Sequence, residues 1–129
     1  MNKKLINVQR GWKATCVVIK DSEAEELRNA LFMDSGLSDA TLFGVKLGNP
    51  IFKEKIEIIS KKDEIGYFVL TKFDTLSIED QHRYLSLIKD REFMGYTLPD
   101  NIIIVLTVED EERLKAISPE VYHFCVVAF

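Results

Sequence analysis

Cysteine, proline and tryptophan are scarce in this sequence and an excess of basic charge is missing, and each shortage excludes something. Among 129 residues there are 2 cysteines, 3 prolines and 1 tryptophan. Cys16 and Cys125 lie far apart in apolar surroundings, without the dense pairing of a disulfide scaffold or the close spacing of a metal site, so both read as buried free thiols. Long apolar runs are missing too: none approaches the ~20 residues that a membrane-spanning helix needs. The opening residues MNKKLIN lead into polar sequence rather than a signal-peptide core, so the expected location is the cytoplasm, with no membrane partner. Lys+Arg number 17 against 21 Asp+Glu, a net charge of −4. Binding to a phosphate backbone depends on clustered Lys and Arg that release counterions, so a nucleic-acid partner is unsupported.

What is present describes a folded domain. Hydrophobic residues make up 47% of the chain, and a chain of this size buries roughly two-thirds of the surface that its unfolded form exposes. Residues 1–129 are therefore expected to form a single domain that needs neither disulfides nor a metal to fold.

Residues 15–20 (TCVVIK) are β-branched and apolar and predict a buried strand. Ser22 with Glu25 has the form of a capping box, and Ala24, Leu27 and Leu31 follow at helical spacing up to Gly36, which predicts a helix. Residues 40–47 (ATLFGVKL) suggest a second strand, interrupted by Gly44. In residues 53–63, Ile56 and Ile58 alternate with Lys55 and Glu57, as in a half-exposed strand or hairpin arm. Residues 66–73 (GYFVLTKF) form a nearly continuous apolar run, expected of a strand covered on both faces. Ser77 and Asp80 form a second capping box, and Gln81, Tyr84, Leu85 and Ile88 mark one helical face as far as Arg91. A turn-rich link at 95–101 precedes the strand 102–107 (IIIVLT), a short charged helix at 109–117 and a closing strand at 121–129 (VYHFCVVAF). Strands alternating with helices predict an α/β three-layer sandwich with a mostly parallel sheet of about five strands.

Residues 66–124 resemble the core of an AAA+ ATPase, nearest the MoxR-type and sigma-54-dependent activator branches. In that family a strand ending in two acids, Walker B, precedes a helix reading roughly S-P-E-x-Q-x-x-L-L-x-L-L-x-D/E-R. Residues 77–91 (SIEDQHRYLSLIKDR) follow that pattern. A hairpin with Gly95-Tyr96 and Leu98-Pro99-Asp100-Asn101 comes next, then a strand, then Ser118-Pro119-Glu120 before an aromatic, in the family's order. Upstream, Leu42-Phe43-Gly44 and Gly48 are similar to the L-F-G-x-x-x-G start of the activators' sigma-factor loop, whose Ala-Phe-Thr-Gly core is replaced by Asn49-Pro50-Ile51-Phe52. The resemblance implies a bacterial protein with a P-loop NTPase fold, pared down to the core without its helical lid.

The departures concern the nucleotide chemistry. A P-loop needs glycines that let backbone N–H groups approach phosphate, a Lys and a Ser or Thr for Mg²⁺. After the first strand this chain has Asp21-Ser22-Glu23-Ala24-Glu25-Glu26, without glycine or lysine and rich in acids that repel a triphosphate. The Walker B pair falls on Thr71-Lys72, the polar sensor near Glu109 and the arginine finger near His123. Phosphoryl transfer is catalysed by positioning and charge stabilisation, which those residues supply in the family. Residues 15–20 correspond either to the family's P-loop strand or to its second strand, and in the second case the P-loop unit has been deleted outright.

The resemblance therefore implies a non-enzymatic interaction or regulatory domain with no catalytic, cofactor-binding or metal-binding residues. Its partner would be a protein, either a true AAA+ subunit or the transcription machinery that sigma-54 regulators address. Two other readings stand beside it: a nucleotide-binding switch without hydrolysis, and an unrelated small cytoplasmic enzyme using His123 with Cys125 or Cys16. His123 and Cys125, two apart in the predicted closing strand, would share a face, and the family's strand order would make the first and last strands neighbours and bring Cys16 near Cys125. His82 is expected on the exposed side of its helix. The acidic clusters 21–26 and 109–112 read as helix starts, where carboxylates favour the dipole. Lys53, Lys55, Lys61 and Lys62 read as a solvated edge, with no aromatic platform among them.

Overall fold

In the computed structural model, residues 16–35, 52–62, 64–93 and 95–129 are described in full and residues 45–46 and 49–50 by their backbone. Five strands form one sheet: β1 (Cys16–Lys20), β2 (Ala30–Asp34), β5 (Gly66–Thr71), β8 (Ile102–Val108) and β9 (Cys125–Val127), in the order β2-β5-β8-β1-β9. Every neighbouring pair in it is parallel. β3 (Val45–Lys46) with β4 (Asn49–Pro50), and β6 (Glu92–Phe93) with β7 (Tyr96–Thr97), make two small antiparallel ladders. The helices are α1 (Asp21–Ala24), α2 (Lys53–Ser60), α3 (Ile78–His82), α4 (Leu85–Asp90) and α5 (Pro119–Tyr122), with 3-10 turns at Phe73–Thr75 and Glu111–Ala116.

Alternation along the strands sorts the core into two clusters. Cys16, Val18, Phe68, Leu70, Ile104 and Leu106 face one way, packed with Ile56 of α2, Leu87 and Ile88 of α4 and Val121 of α5. Val17, Ile19, Tyr67, Val69, Ile103 and Val105 face the other way, with Ala24 of α1 and Leu27. The connection from β1 to β2 runs along the sheet in the opposite sense to the later ones, so right-handed crossovers put α1 on one face and the other helices on the opposite face. The expected three-layer α/β sandwich is observed. No helix among the described residues is long and apolar enough to cross a membrane.

Several expected elements are corrected. The helix through Leu31 stops after one turn: its N-cap is Lys20, without a side-chain cap bond, so Ser22 caps nothing. Asn29 then adopts a left-handed φ of 54°, and residues 30–34 pair with β5 as an edge strand. Residues 53–63 hold the helix α2, in which Ile56 is buried and Ile58 is exposed. The alternation of Ile56 and Ile58 was misleading, because Phe52, Ile56 and Ile59 at helical spacing are the residues packed on the core. The helix expected over 77–91 begins as predicted, with Ser77 Oγ accepting from the Asp80 N–H at 3.1 Å. It breaks where the N–H groups of Arg83 and Tyr84 reach back three residues, to Asp80 and Gln81, and tighten the turn. The charged helix at 109–117 is a 3-10 turn capped by Asp110. The closing strand is shorter than expected: Ser118 caps α5, with Pro119 at its start, and only residues 125–127 are extended. The strand suggested at 40–47 lies mostly outside the described residues, with β3 inside it.

Long polar side chains fasten the N-terminal edge of the sheet. Asn29 Nδ2 donates to the carbonyls of Ile59 and Ile65 at 3.0 and 3.3 Å, and Asn101 Nδ2 to those of Ser60 and Glu64 at 2.9 and 3.2 Å. Together they pin the link from α2 to β5. Arg91 caps α4 with a left-handed φ of 57° and donates to the carbonyls of Pro99 and Ile102 at 2.8 and 2.6 Å.

Tyr67 is fully buried on β5, and its hydroxyl has no hydrogen-bond partner among the described residues. Burial, with a smaller contribution from Glu64, raises its pKa from the usual 10 to about 12. The unfolded phenol ionises near pH 10 while the folded one keeps its proton. This group therefore leaves stability unchanged below pH 10 and removes about 2–3 kcal/mol as the pH rises to about 12. Tyr67→Phe should flatten that alkaline slope, apart from the shares due to Tyr96 and Cys16, whose pKa values burial also raises. At neutral pH it should stabilise the fold by about 1 kcal/mol, because no orphan hydroxyl remains. Urea unfolding at neutral pH and Tm against alkaline pH check both.

Candidate functional site

Parallel α/β sheets bind ligands beyond the carboxyl ends of their strands, where the strand order reverses. Here that edge carries Lys20 and Asp21 at the end of β1, Asp34 and Ser35 at β2, Thr71 and Lys72 at β5, and Thr107 to Glu109 at β8. It also holds the residues that the expected resemblance would equate with Walker A, Walker B and the sensor, namely the turn after Lys20, Thr71-Lys72 and Glu109.

Thr107 organises the middle. It is buried and polar in an otherwise apolar strand. Its hydroxyl accepts from the Lys72 N–H at 2.9 Å and donates to the Asp21 carboxylate. Lys72 takes a left-handed φ of 55°, and its carbonyl accepts from Thr75 Oγ1 at 2.7 Å. β1 passes directly into α1, whose first residue is Asp21. The turn after Lys20 is thus occupied by a carboxylate fastened to β8.

Two further groups complete the edge. Ser35 donates through its hydroxyl to the Thr71 carbonyl at 2.6 Å, and its own carbonyl accepts from the Tyr84 hydroxyl at 2.6 Å. Asp74 is buried; its Oδ2 accepts from Arg113 Nε at 3.0 Å and the Glu109 N–H at 3.4 Å. Arg113 also donates to the Asp74 carbonyl at 2.9 Å. The other oxygen of Asp74, Oδ1, has no partner among the described residues. Glu109 contributes its backbone N–H to this carboxylate.

The histidines and cysteines sit elsewhere. His123 caps the C-terminus of α5 and is exposed, its ring edge-on to Phe124 with centroids 5.0 Å apart. It precedes β9, so the expected shared strand face with Cys125 does not exist. His82 is engaged rather than free on the outside of its helix: Nε2 lies 2.9 Å from Ser118 Oγ and 3.5 Å from Glu120 Oε2. Ser118 Oγ donates to Glu120 at 2.9 Å and caps α5 by accepting from the Val121 N–H. The carboxyl of Glu120 is held below its ordinary range, first by its own backbone N–H, then by Ser118 and His82.

A serine, a histidine and a carboxylate therefore meet, in an order that does not serve hydrolysis. The hydroxyl is fully buried and spends its proton on the carboxylate, whereas a triad carboxylate holds the far nitrogen of the imidazole. Cys16 and Cys125 do come together: they are register partners on β1 and β9. Cys16 is buried, Cys125 is half-buried, and both are free thiols. Among the described residues no group of three or more His, Cys, Asp or Glu is placed to hold a metal.

Sequence reasoning did not find the Asp74–Arg113 pair or the role of Thr107. These contacts join residues 35 to 86 positions apart, and only the strand order brings them together. The one available signal was a threonine at the end of an apolar strand, which calls for a partner. No family model matches the sequence, and no curated protein matches it.

Thr107→Val keeps the side-chain shape and leaves the Lys72 N–H without an acceptor. It should cost about 2 kcal/mol by urea unfolding, while Thr107→Ser should cost less than half as much.

Proposed function

We propose that this chain is a non-catalytic interaction or regulatory domain built on the AAA+ scaffold, docking on a AAA+ subunit or on sigma-54-type transcription machinery. One observation carries the reading: β1 lies inside the sheet between β8 and β9, and the turn after it is the helix start Asp21–Ala24, with Asp21 bonded to Thr107. The adjacency of the first and last strands is the arrangement that the resemblance implies. It favours equating β1 with the P-loop strand over the alternative, in which that unit had been deleted. At the phosphate position, Asp21, Glu23, Glu25 and Glu26 present like charge to any polyphosphate. Such a domain acts through surfaces rather than bond breaking, and the step from scaffold to partner is an analogy of fold.

Millimolar Mg-ATP or Mg-ADP should leave the Tm unchanged, because a ligand that binds only the native state must raise it. A rise that saturates with nucleotide would replace this reading with a nucleotide-binding switch. Adding the chain to a purified sigma-54-activator ATPase should change that enzyme's ATP turnover; an unchanged rate across a titration removes the AAA+ subunit as partner.

A further inference from the structure

We propose that Cys16 and Cys125 form a redox pair that closes into a disulfide in the presence of a small-molecule disulfide such as oxidised glutathione, fastening the edge strand β9 to β1. The inference is independent of the proposed partner. The two residues are direct register partners in parallel strands, followed by Val17 with Val126 and Val18 with Val127. Neighbouring strands lie roughly 4.8 Å apart, within the Cα separation of about 4.4–6.8 Å that a disulfide spans. Both side chains join the same apolar cluster, so they stand on the same face of the sheet. They are the chain's 2 cysteines, so no other thiol competes.

Their surroundings give them different roles. Cys125 is half-buried, and its thiol donates to the Val121 carbonyl at 3.3 Å. Cys16 is fully buried, and burial first, then Cys125, pushes its thiol well above the usual range. Cys125 is therefore the entry point. Its thiolate attacks one sulfur of glutathione disulfide, forming a mixed disulfide and releasing one glutathione thiolate. The Cys16 thiolate then attacks the Cys125 sulfur and expels the second glutathione. Both thiol protons end on the released glutathiones, and the two electrons lost by the cysteines reduce the glutathione disulfide.

The consequence is mechanical. Among the described residues β9 is an edge strand of three residues, held on one side by β1. A bond from Cys16 to Cys125 closes a loop over residues 17–124 and restricts the unfolded chain, which favours the folded state. In the reduced state β9 depends on its short ladder and on the apolar contacts of its side chains.

The test uses the full chain, reduced and then exposed to glutathione disulfide at neutral and alkaline pH. The expected product has lost two hydrogen atoms by intact mass, carries no glutathione, runs as a monomer without reductant and shows no free thiol in denaturant. Its Tm should rise by roughly 10 °C and return with dithiothreitol. Closure should accelerate by up to about tenfold per pH unit, since Cys16 must lose its proton. Cys16→Ala should stop at the glutathione adduct on Cys125, and Cys125→Ser should show no adduct and no closure. A lasting adduct in the unmodified chain, a disulfide-linked dimer, two unreacted thiols or a lowered Tm after closure overturns the proposal.

Discussion

Everything in this fold leans on the burial of β8. All seven of its residues are buried, and it lies between β5 and β1 at the centre of the sheet. A strand with both edges paired and both faces covered can be almost wholly apolar, because its backbone groups are spent in the ladders. Burying each large aliphatic side chain contributes about 1.5–3 kcal/mol, and Ile102, Ile104 and Leu106 serve one cluster while Ile103 and Val105 serve the other. The two helical layers therefore depend on a single strand for their common boundary. The exception to its apolar character is Thr107, and the polar edge of the sheet is organised around it.

The sequence was most legible where burial was most complete. The strands at 16–20, 66–71 and 102–108 are apolar on both faces, so no choice of register could hide them. Ser77 announced its helix because a cap is a local bond between residues three apart. Misreadings fell where two periods compete or where a distant partner decides. Leu27 and Leu31 fit a helical face, yet Leu31 belongs to β2 because β5 supplies a ladder for 30–34 and Asn29 tolerates the left-handed turn that starts it. Ile56 and Ile58 alternate as a strand would, and the deciding residue was Phe52, outside the window. At 118–122 the Ser-Pro-Glu signature of a helix start outweighed the β-branched residues that follow. Among the described residues the main sheet has the expected five strands, and one of them, 30–34, comes from a stretch whose spacing predicts a helix.

The candidate site was less legible than the fold. That acids crowd the turn after β1 is visible in a single stretch. That Asp21 is then held by Thr107, or that Asp74 receives Arg113, depends on β1, β5 and β8 being neighbours, which no local pattern states. The Ser118, His82 and Glu120 contacts are the reverse case: residue types that suggest chemistry turn out to cap a helix and to join α3 to α5.

The polar edge and the acidic turn are two aspects of one arrangement. In a helix start, the first N–H groups lack carbonyl partners and carry partial positive charge, which is why such a turn can hold an external anion. Here Asp21 and Glu23 stand in the first turn of α1, so the chain brings its own anions to those groups. α1 has four residues, too few for a large dipole, and Asp21 is already committed to Thr107. An incoming phosphate would have to displace an internal carboxylate from a buried hydroxyl and then face the remaining acids. The same bonds that close the carboxyl edge tie β1 to β8 and β8 to β5, through Asp21, Thr107 and the Lys72 N–H. In this chain the place where α/β sheets usually meet a ligand has become one of the points where its own strands are held together.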